Sequence, residues 1–258
     1  MSENYLKPNE LIEPVINMGI KKAYTKGRQT FLLGIMAEIF IGMAYTGYMT
    51  ATQVLMFKDA GLGKLVGAGI FPIGIMLVLI VGGDLFTGNN LVALAYINKR
   101  VSMFFLLKNW LFVWIGNLAG SIIIAWASIT AGTFNGANIR TLALDIASHK
   151  VGLGLGEAIV SGILCNILVA LGVWMTLAAK DLISKLFAAW FPIMLFALSG
   201  YQHSVANMYI MTLGKLIDPN IYSVKDMFLT NILPVSLGNI IAGGILIPIV
   251  YNYLYNKK

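Results

Sequence analysis

Charge is what this sequence has least of. Of its 258 residues only 11% are Asp, Glu, Lys or Arg, whereas 58% are hydrophobic; a soluble domain carries about a quarter charged residues. Mean hydropathy is +0.80. So apolar a chain cannot be arranged around a water-facing surface, which excludes an ordinary soluble enzyme as well as disordered and collagen-like chains. Cysteine is almost missing: Cys165 stands alone in an apolar run, so no intramolecular disulfide can form. Two histidines, His149 and His203, are too few for a histidine-rich metal site, and no Ser-His-Asp set or cofactor box accompanies them. The net charge is +7, yet no basic stripe interleaved with exposed aromatics points to nucleic acid.

What the sequence has is long apolar runs. Six of them, at about 29–52, 66–97, 109–134, 151–179, 186–213 and 227–255, reach the roughly 20 residues that a helix needs to cross a bilayer. The third and sixth carry no charge, and the first, second and fourth hold one acid each: Glu38, Asp84 and Glu157. Unbroken runs of this length are not the short alternating strands of a β-barrel. The class is an all-α membrane protein, with residues 29–258 as one six-span domain.

Residues 1–28 form a separate amphipathic segment. Its basic residues Lys21, Lys22, Lys26 and Arg28 follow the apolar positions, unlike those of a cleavable signal peptide. Leu11, Ile12, Val15, Ile16 and Ile20 share one helical face, so the segment either lies along the membrane surface or packs on the inner end of the bundle. With the N-terminus inside, twelve Lys and Arg fall on the inner side, Lys99, Arg100, Lys257 and Lys258 among them. Six fall outside: Lys58, Lys64, Arg140, Lys150, Lys215 and Lys225. That bias places both termini in the cytoplasm of a cell-membrane protein.

Local patterns recur across the chain. Phe71-Pro72-Ile73 returns as Phe191-Pro192-Ile193, Gly116-Asn117-Leu118 as Gly238-Asn239-Ile240, and Glu38 is answered by Glu157. The separations of 120, 122 and 119 residues match a three-span period. Three is odd, so the second repeat (about 151–255) is inverted relative to the first (about 29–134). Inverted repeats build transport paths where helices are broken near the midplane. Two breaks are legible, at Gly82-Gly83-Asp84-Leu85-Phe86-Thr87-Gly88-Asn89-Asn90 in span two and Ser199-Gly200-Tyr201-Gln202-His203-Ser204 in span five. Glycine and short polar residues there release backbone groups that lipid cannot satisfy, so the segments must line protein or a wet cavity.

These breaks, with Gly162-Ile163-Leu164-Cys165-Asn166-Ile167-Leu168-Val169 and the run from Gly200 through Asn207 to Met208, resemble the signatures of the formate–nitrite transporter family. The likeness extends over nearly the whole chain. It implies an aquaporin-like protomer in a homopentamer, each enclosing a pore for small monovalent anions such as formate, nitrite and hydrosulfide, with protons as a further partner and no cofactor. It implies a pore centre of His203, Thr87 and Asn239, and an outer constriction of Phe71 and Phe196. Ile75, Phe86 and Val169 would form the inner constriction, and Lys150 would attract anions. Ile75 stands where formate channels commonly have leucine. Gln202 stands where the family usually has glutamate, which puts a proton relay through that side chain in doubt.

The residues themselves point the same way. A bare anion loses its hydration between rings of Phe and Ile, at a cost of several kcal/mol or more. The neutral weak acid crosses far more cheaply, and histidine is the side chain whose protonation changes near neutrality. On that reading His203→Ala alters the pH dependence of flux more than its peak. Asp84 is expected as the N-cap of the second half-helix, His149 as a loop residue, and Glu38, Glu157, Gln202 and Asn207 as structural polar residues. The rival readings are a channel for water or glycerol and a strictly coupled proton–anion carrier. Against the first, neither break carries Asn-Pro-Ala.

Overall fold

A computed structural model describes residues 5–256, and among these the regular secondary structure is helical apart from an isolated bridge between Tyr5 and Ala179. Lys257 and Lys258 lie outside the described residues. Helix α1 (Ile12–Tyr24) precedes the first crossing, α2 (Gly27–Thr52). The second crossing, α3 (Ala60–Gly82), breaks and resumes as two short helices, α4 (Phe86–Asn89) and α5 (Val92–Ile97). The third is α6 (Met103–Thr130). Helix α7 (Ala137–Val151) opens the second half, followed by α8 (Leu155–Ala178). The fifth crossing is made in two pieces, α9 (Leu182–Leu198) and α10 (Ser204–Ile217), and the sixth is α11 (Val224–Tyr255).

Each break begins with a glycine in the left-handed region, Gly82 (φ 112°) and Gly200 (φ 73°), where a side chain would be strained. The chain then runs extended before the next helix starts. Two close helix crossings hold the halves. A Cβ on Gly34 of α2 would stand 2.9 Å from the Val113 carbonyl oxygen of α6, and one on Gly162 of α8 would stand 2.8 Å from the Val235 carbonyl oxygen of α11. Only glycine permits that approach. Outward faces stay apolar, with Phe104, Leu107, Leu111, Ile122 and Trp126 of α6 exposed, as a bilayer requires and water would penalise.

The N-terminal helix takes the second of its two expected placements and packs on protein: Leu11, Ile12, Val15 and Ile16 are buried in one cluster with Val92, Leu94 and Ala95 of α5, so that face is not available to lipid. Two expectations need correction. The link between the halves is not a loop, because α7 fills it and carries His149 and Lys150 in its last turn. The pairing of Glu38 with Glu157 also fails. Glu38 is fully buried, Glu157 is exposed, and the residue four after the crossing glycine of the second half, matching Glu38 after Gly34, is Asn166.

Candidate functional site

The two broken segments are held by one asparagine each. Asn117 Oδ1 accepts the Phe86 N–H (3.0 Å), while its Nδ2 donates to the Gly34 carbonyl (2.8 Å) and the Asp84 carbonyl (3.0 Å). Asn239 Oδ1 accepts the Ser204 N–H (3.1 Å), and its Nδ2 donates to the Gly162 carbonyl (2.8 Å) and the Gln202 carbonyl (3.3 Å). A primary amide has one acceptor and two donor hydrogens, and all are engaged in both residues. Asn239, expected to complete the polar centre, instead fixes the backbone that presents it.

A second duplicated network flanks each clamp. On one side Lys22 is ion-paired with Asp84 and donates to Asn89 Oδ1 (2.8 Å). Asn89 Nδ2 donates to Asn109 Oδ1 (3.0 Å), and Asn109 Nδ2 to the Lys22 carbonyl (2.9 Å). On the other, Lys150 Nζ and Asn207 Nδ2 both donate to Gln202 Oε1 (2.9 Å each). Asn207 Nδ2 also donates to Asn231 Oδ1 (2.7 Å), and Asn231 Nδ2 to the Lys150 carbonyl (2.9 Å). Lys22 therefore corresponds to Lys150, Asp84 to Gln202, Asn89 to Asn207 and Asn109 to Asn231. Asp84 is thus the partner of Lys22 and does not cap the half-helix, whose first N–H belongs to Asn117.

The two sides differ in charge. Lys22 faces a carboxylate, whereas Lys150 faces a neutral amide. Lys150 lies on α7, outside the six crossings, and is only 8% exposed; burial lowers its ammonium from the ordinary lysine range to about 8. It borders a cavity of about 450 Å³ that also meets Lys64, Asp145 and His149 at its rim and Phe71, Phe196 and His203 at its floor.

At that floor the Phe71 and Phe196 rings meet edge to face, with centroids 5.8 Å apart. Phe196 also stacks on the His203 ring at 5.6 Å and 11°. His203 is the N-cap of α10, its Nδ1 accepting the Ala206 N–H (3.1 Å). An Nδ1 that accepts carries no hydrogen, so the neutral ring bears its proton on Nε2. That Nε2 lies 2.9 Å from Thr87 Oγ1 on α4. The half-helix starts of the two repeats thus meet through one hydrogen bond. Beyond it Ile75, Phe86 and Val169 are all buried in the same apolar cluster.

The sequence assigned no site role to Lys22, Asn89, Asn109, Asn117 or Asn231, although the Gly-Asn recurrence at Asn117 was legible. The matching of the other residues was hidden because the offset between repeats changes along the chain. It is 128 positions for Lys22 and Gly34, 118 for Asp84 and Asn89, and 122 for Asn109 and Asn117.

The comparisons with known proteins agree with this arrangement. A family profile described as formate/nitrite transporter matches residues 9–253. The formate channel FocA of Escherichia coli (strain K12) is 34% identical, over 98% of this chain and 95% of its own. A solved structure described as a pentameric formate channel with formate bound superposes with a TM-score of 0.81 at 33% identity, covering 90% of this chain and 98% of that one. Another, described as an FNT family ion channel, reaches a TM-score of 0.86 at 26% identity, covering 94% and 98%. With two inverted three-span repeats meeting at their breaks, and with matches of this extent in sequence and fold, the chain belongs to the formate/nitrite transporter family.

Proposed function

We propose that the chain forms a membrane pore for small monovalent weak-acid anions, formate foremost, with hydrosulfide and nitrite as other solutes of the same route. The observation that carries this reading is the His203 Nε2–Thr87 Oγ1 pair, one polar waist between apolar walls. Lys150 and Lys64 draw an anion into the vestibule, where Phe71 and Phe196 strip its water. The anion then takes the Nε2–H of His203 and the hydroxyl of Thr87 in place of their mutual bond. Neutralised by a proton, it passes the apolar rings at far lower cost than as a bare ion. Gln202 has no exchangeable acid to serve as a relay, so the proton comes through the vestibule water.

Five copies assemble, as in the pentameric formate channel that the chain resembles, with both termini in the cytoplasm and the exposed apolar faces turned to lipid and to neighbouring copies. Flux into liposomes of formate, nitrite, hydrosulfide, lactate, chloride and glycerol, each compared at an acidic and a neutral pH, tests the reading. Weak-acid uptake that quickens on acidification, with chloride and glycerol excluded, is the expected result. Passage of glycerol without the anions would overturn it in favour of a neutral-solute channel.

Charge capture at the vestibule has its own test. Lys150→Glu is expected to slow formate uptake roughly tenfold at low ionic strength and less in high salt, since salt screens the long-range attraction felt by an anion approaching through the water of the vestibule. An equal loss at every salt concentration would point to misfolding instead. Gln202→Glu gives Lys150 the partner that Lys22 already has. Below pH about 8 the wild-type ammonium is charged and above it the charge is lost; a carboxylate partner keeps the proton on to higher pH. The ratio of variant to wild-type uptake is therefore expected to fall below one at neutral pH, where net charge has been cancelled. It then rises as pH passes through about 8. A flat ratio would remove Lys150 charge from the account.

A further inference from the structure

Glu38 is an acid that the transport path leaves unused. It lies on α2 at 0% exposure, and neither carboxyl oxygen has a hydrogen-bond partner. No described cation pairs with it. A carboxylate in that setting has lost its water and gained no donor, which a protein interior does not tolerate.

The other repeat shows what this position does. Asn166 stands four residues after the crossing glycine Gly162, as Glu38 stands four after Gly34. Asn166 Nδ2 donates to the carbonyls of Thr87 (3.3 Å) and Asn239 (2.6 Å), tying the half-helix that bears Thr87 to the sixth crossing. Each residue also packs against a glycine of the third crossing of its own half: a Cβ on Gly120 would stand 2.8 Å from the Glu38 Cβ, and one on Gly243 would stand closer still to the Asn166 Nδ2. The repeat relation turns Thr87 into Val205 and Asn239 into Asn117, so the groups that the repeat assigns to Glu38 are backbone carbonyls. Carbonyls only accept. A carboxylate only accepts too, whereas a carboxylic acid has one O–H to give.

We propose that Glu38 is held as a neutral carboxylic acid whose O–H donates to a backbone carbonyl at the junction of α10 and α6, making it a positioning residue that fixes the half-helix carrying His203. It is the counterpart of the Asn166 amide, with one donor hydrogen in place of two. The inference rests on the reading of His203 and Thr87 as the pore centre. The titratable side chain that α10 presents here is Tyr209, whose hydroxyl is engaged by Thr46 Oγ1 at 2.5 Å. On the other packed helices Lys64 and Lys108 lie near helix ends, and α7 brings Arg140, Asp145, His149 and Lys150 to the outer side.

Infrared spectroscopy of the reconstituted protein, without any transported solute, tests the protonation state directly. At neutral pH the wild type is expected to show the carbonyl stretch of a protonated carboxylic acid, and Glu38→Gln is expected to lack it. In flux, Glu38→Gln keeps a donor and should hold both rate and pH profile near wild type. Glu38→Leu should lower the rate by about tenfold, the worth of a lost buried hydrogen bond. No protonated-acid band, a shifted pH profile in Glu38→Gln, or an unimpaired Glu38→Leu would each overturn the proposal. Should Glu38→Leu fail to assemble, the band and Glu38→Gln still decide. Because the band is read without solute, it stands or falls separately from the substrate assignment.

Discussion

Replacing Asn117 by leucine is expected to abolish the folded protein or to lower its melting temperature steeply. The side chain of Asn117 satisfies three backbone groups at the first break: Phe86 N–H, Gly34 carbonyl and Asp84 carbonyl. The Gly34 carbonyl keeps its helical partner within α2, but no other described group replaces the amide at the Phe86 N–H and the Asp84 carbonyl, and each buried polar group left unpaired costs about 1–3 kcal/mol. That loss is a large part of the net stability of a typical domain, about 5–15 kcal/mol. Asn239→Leu removes the same three contacts from the second break and should cost a similar amount. Thermal unfolding of the purified protein in detergent measures both. A variant that melts with the wild type would mean the broken segments are held by something other than these amides.

The second large effect concerns His203, whose two nitrogens have separate tasks. Nδ1 caps α10, and Nε2 gives a hydrogen bond across the pore. Asparagine is a strong N-cap but is too short to reach Thr87. His203→Asn should therefore keep the cap and still fold, melting somewhat below the wild type for want of the Phe196 stack and the Thr87 bond, while formate flux falls by roughly 10–100-fold, the value of a hydrogen bond to a charged group. The geometry also bears on the proton. An imidazolium would need a hydrogen on Nδ1 and would surrender the Ala206 contact, which supports a reading in which the ring donates and does not titrate. Residual flux in His203→Asn should keep the wild-type pH profile. A changed profile would favour the alternative met in the sequence, that the ring itself exchanges the proton.

The six crossings were legible because each is a long apolar run, and lipid leaves no other fate for such a run. The breaks were legible for the opposite reason, since Gly82-Gly83 and Ser199-Gly200 interrupt runs that would otherwise continue. Helix α7 was not. Its buried residues Ile139, Leu142, Ala143 and Ala147 repeat at helical spacing, but small alanines and interspersed charges mute the pattern. The Glu38–Glu157 match misled because a single period was applied to repeats that differ in loop length. Chemical likeness substituted for position, and the true counterpart is an amide. His203, Thr87 and Lys150 could be singled out through the family likeness, and the structure brings His203 against Thr87 and sets Lys150 on the vestibule above them. Which atom of His203 holds hydrogen could not be read from sequence, because it depends on a backbone N–H three residues on.

The mismatch between the Lys22–Asp84 and Lys150–Gln202 clamps has a kinetic consequence. A passive pore obeys detailed balance, so unequal fields at its two mouths cannot drive net flow between equal concentrations. They can make the half-saturating concentration differ between the two faces. The ratio of maximal rate to half-saturation must still be equal in both directions at zero voltage and equal pH. With Lys150 on the outer face, as proposed, influx should saturate at lower formate than efflux, with a correspondingly lower ceiling. Abolishing the charge difference with Gln202→Glu should bring the two saturation curves together without changing where equilibrium lies.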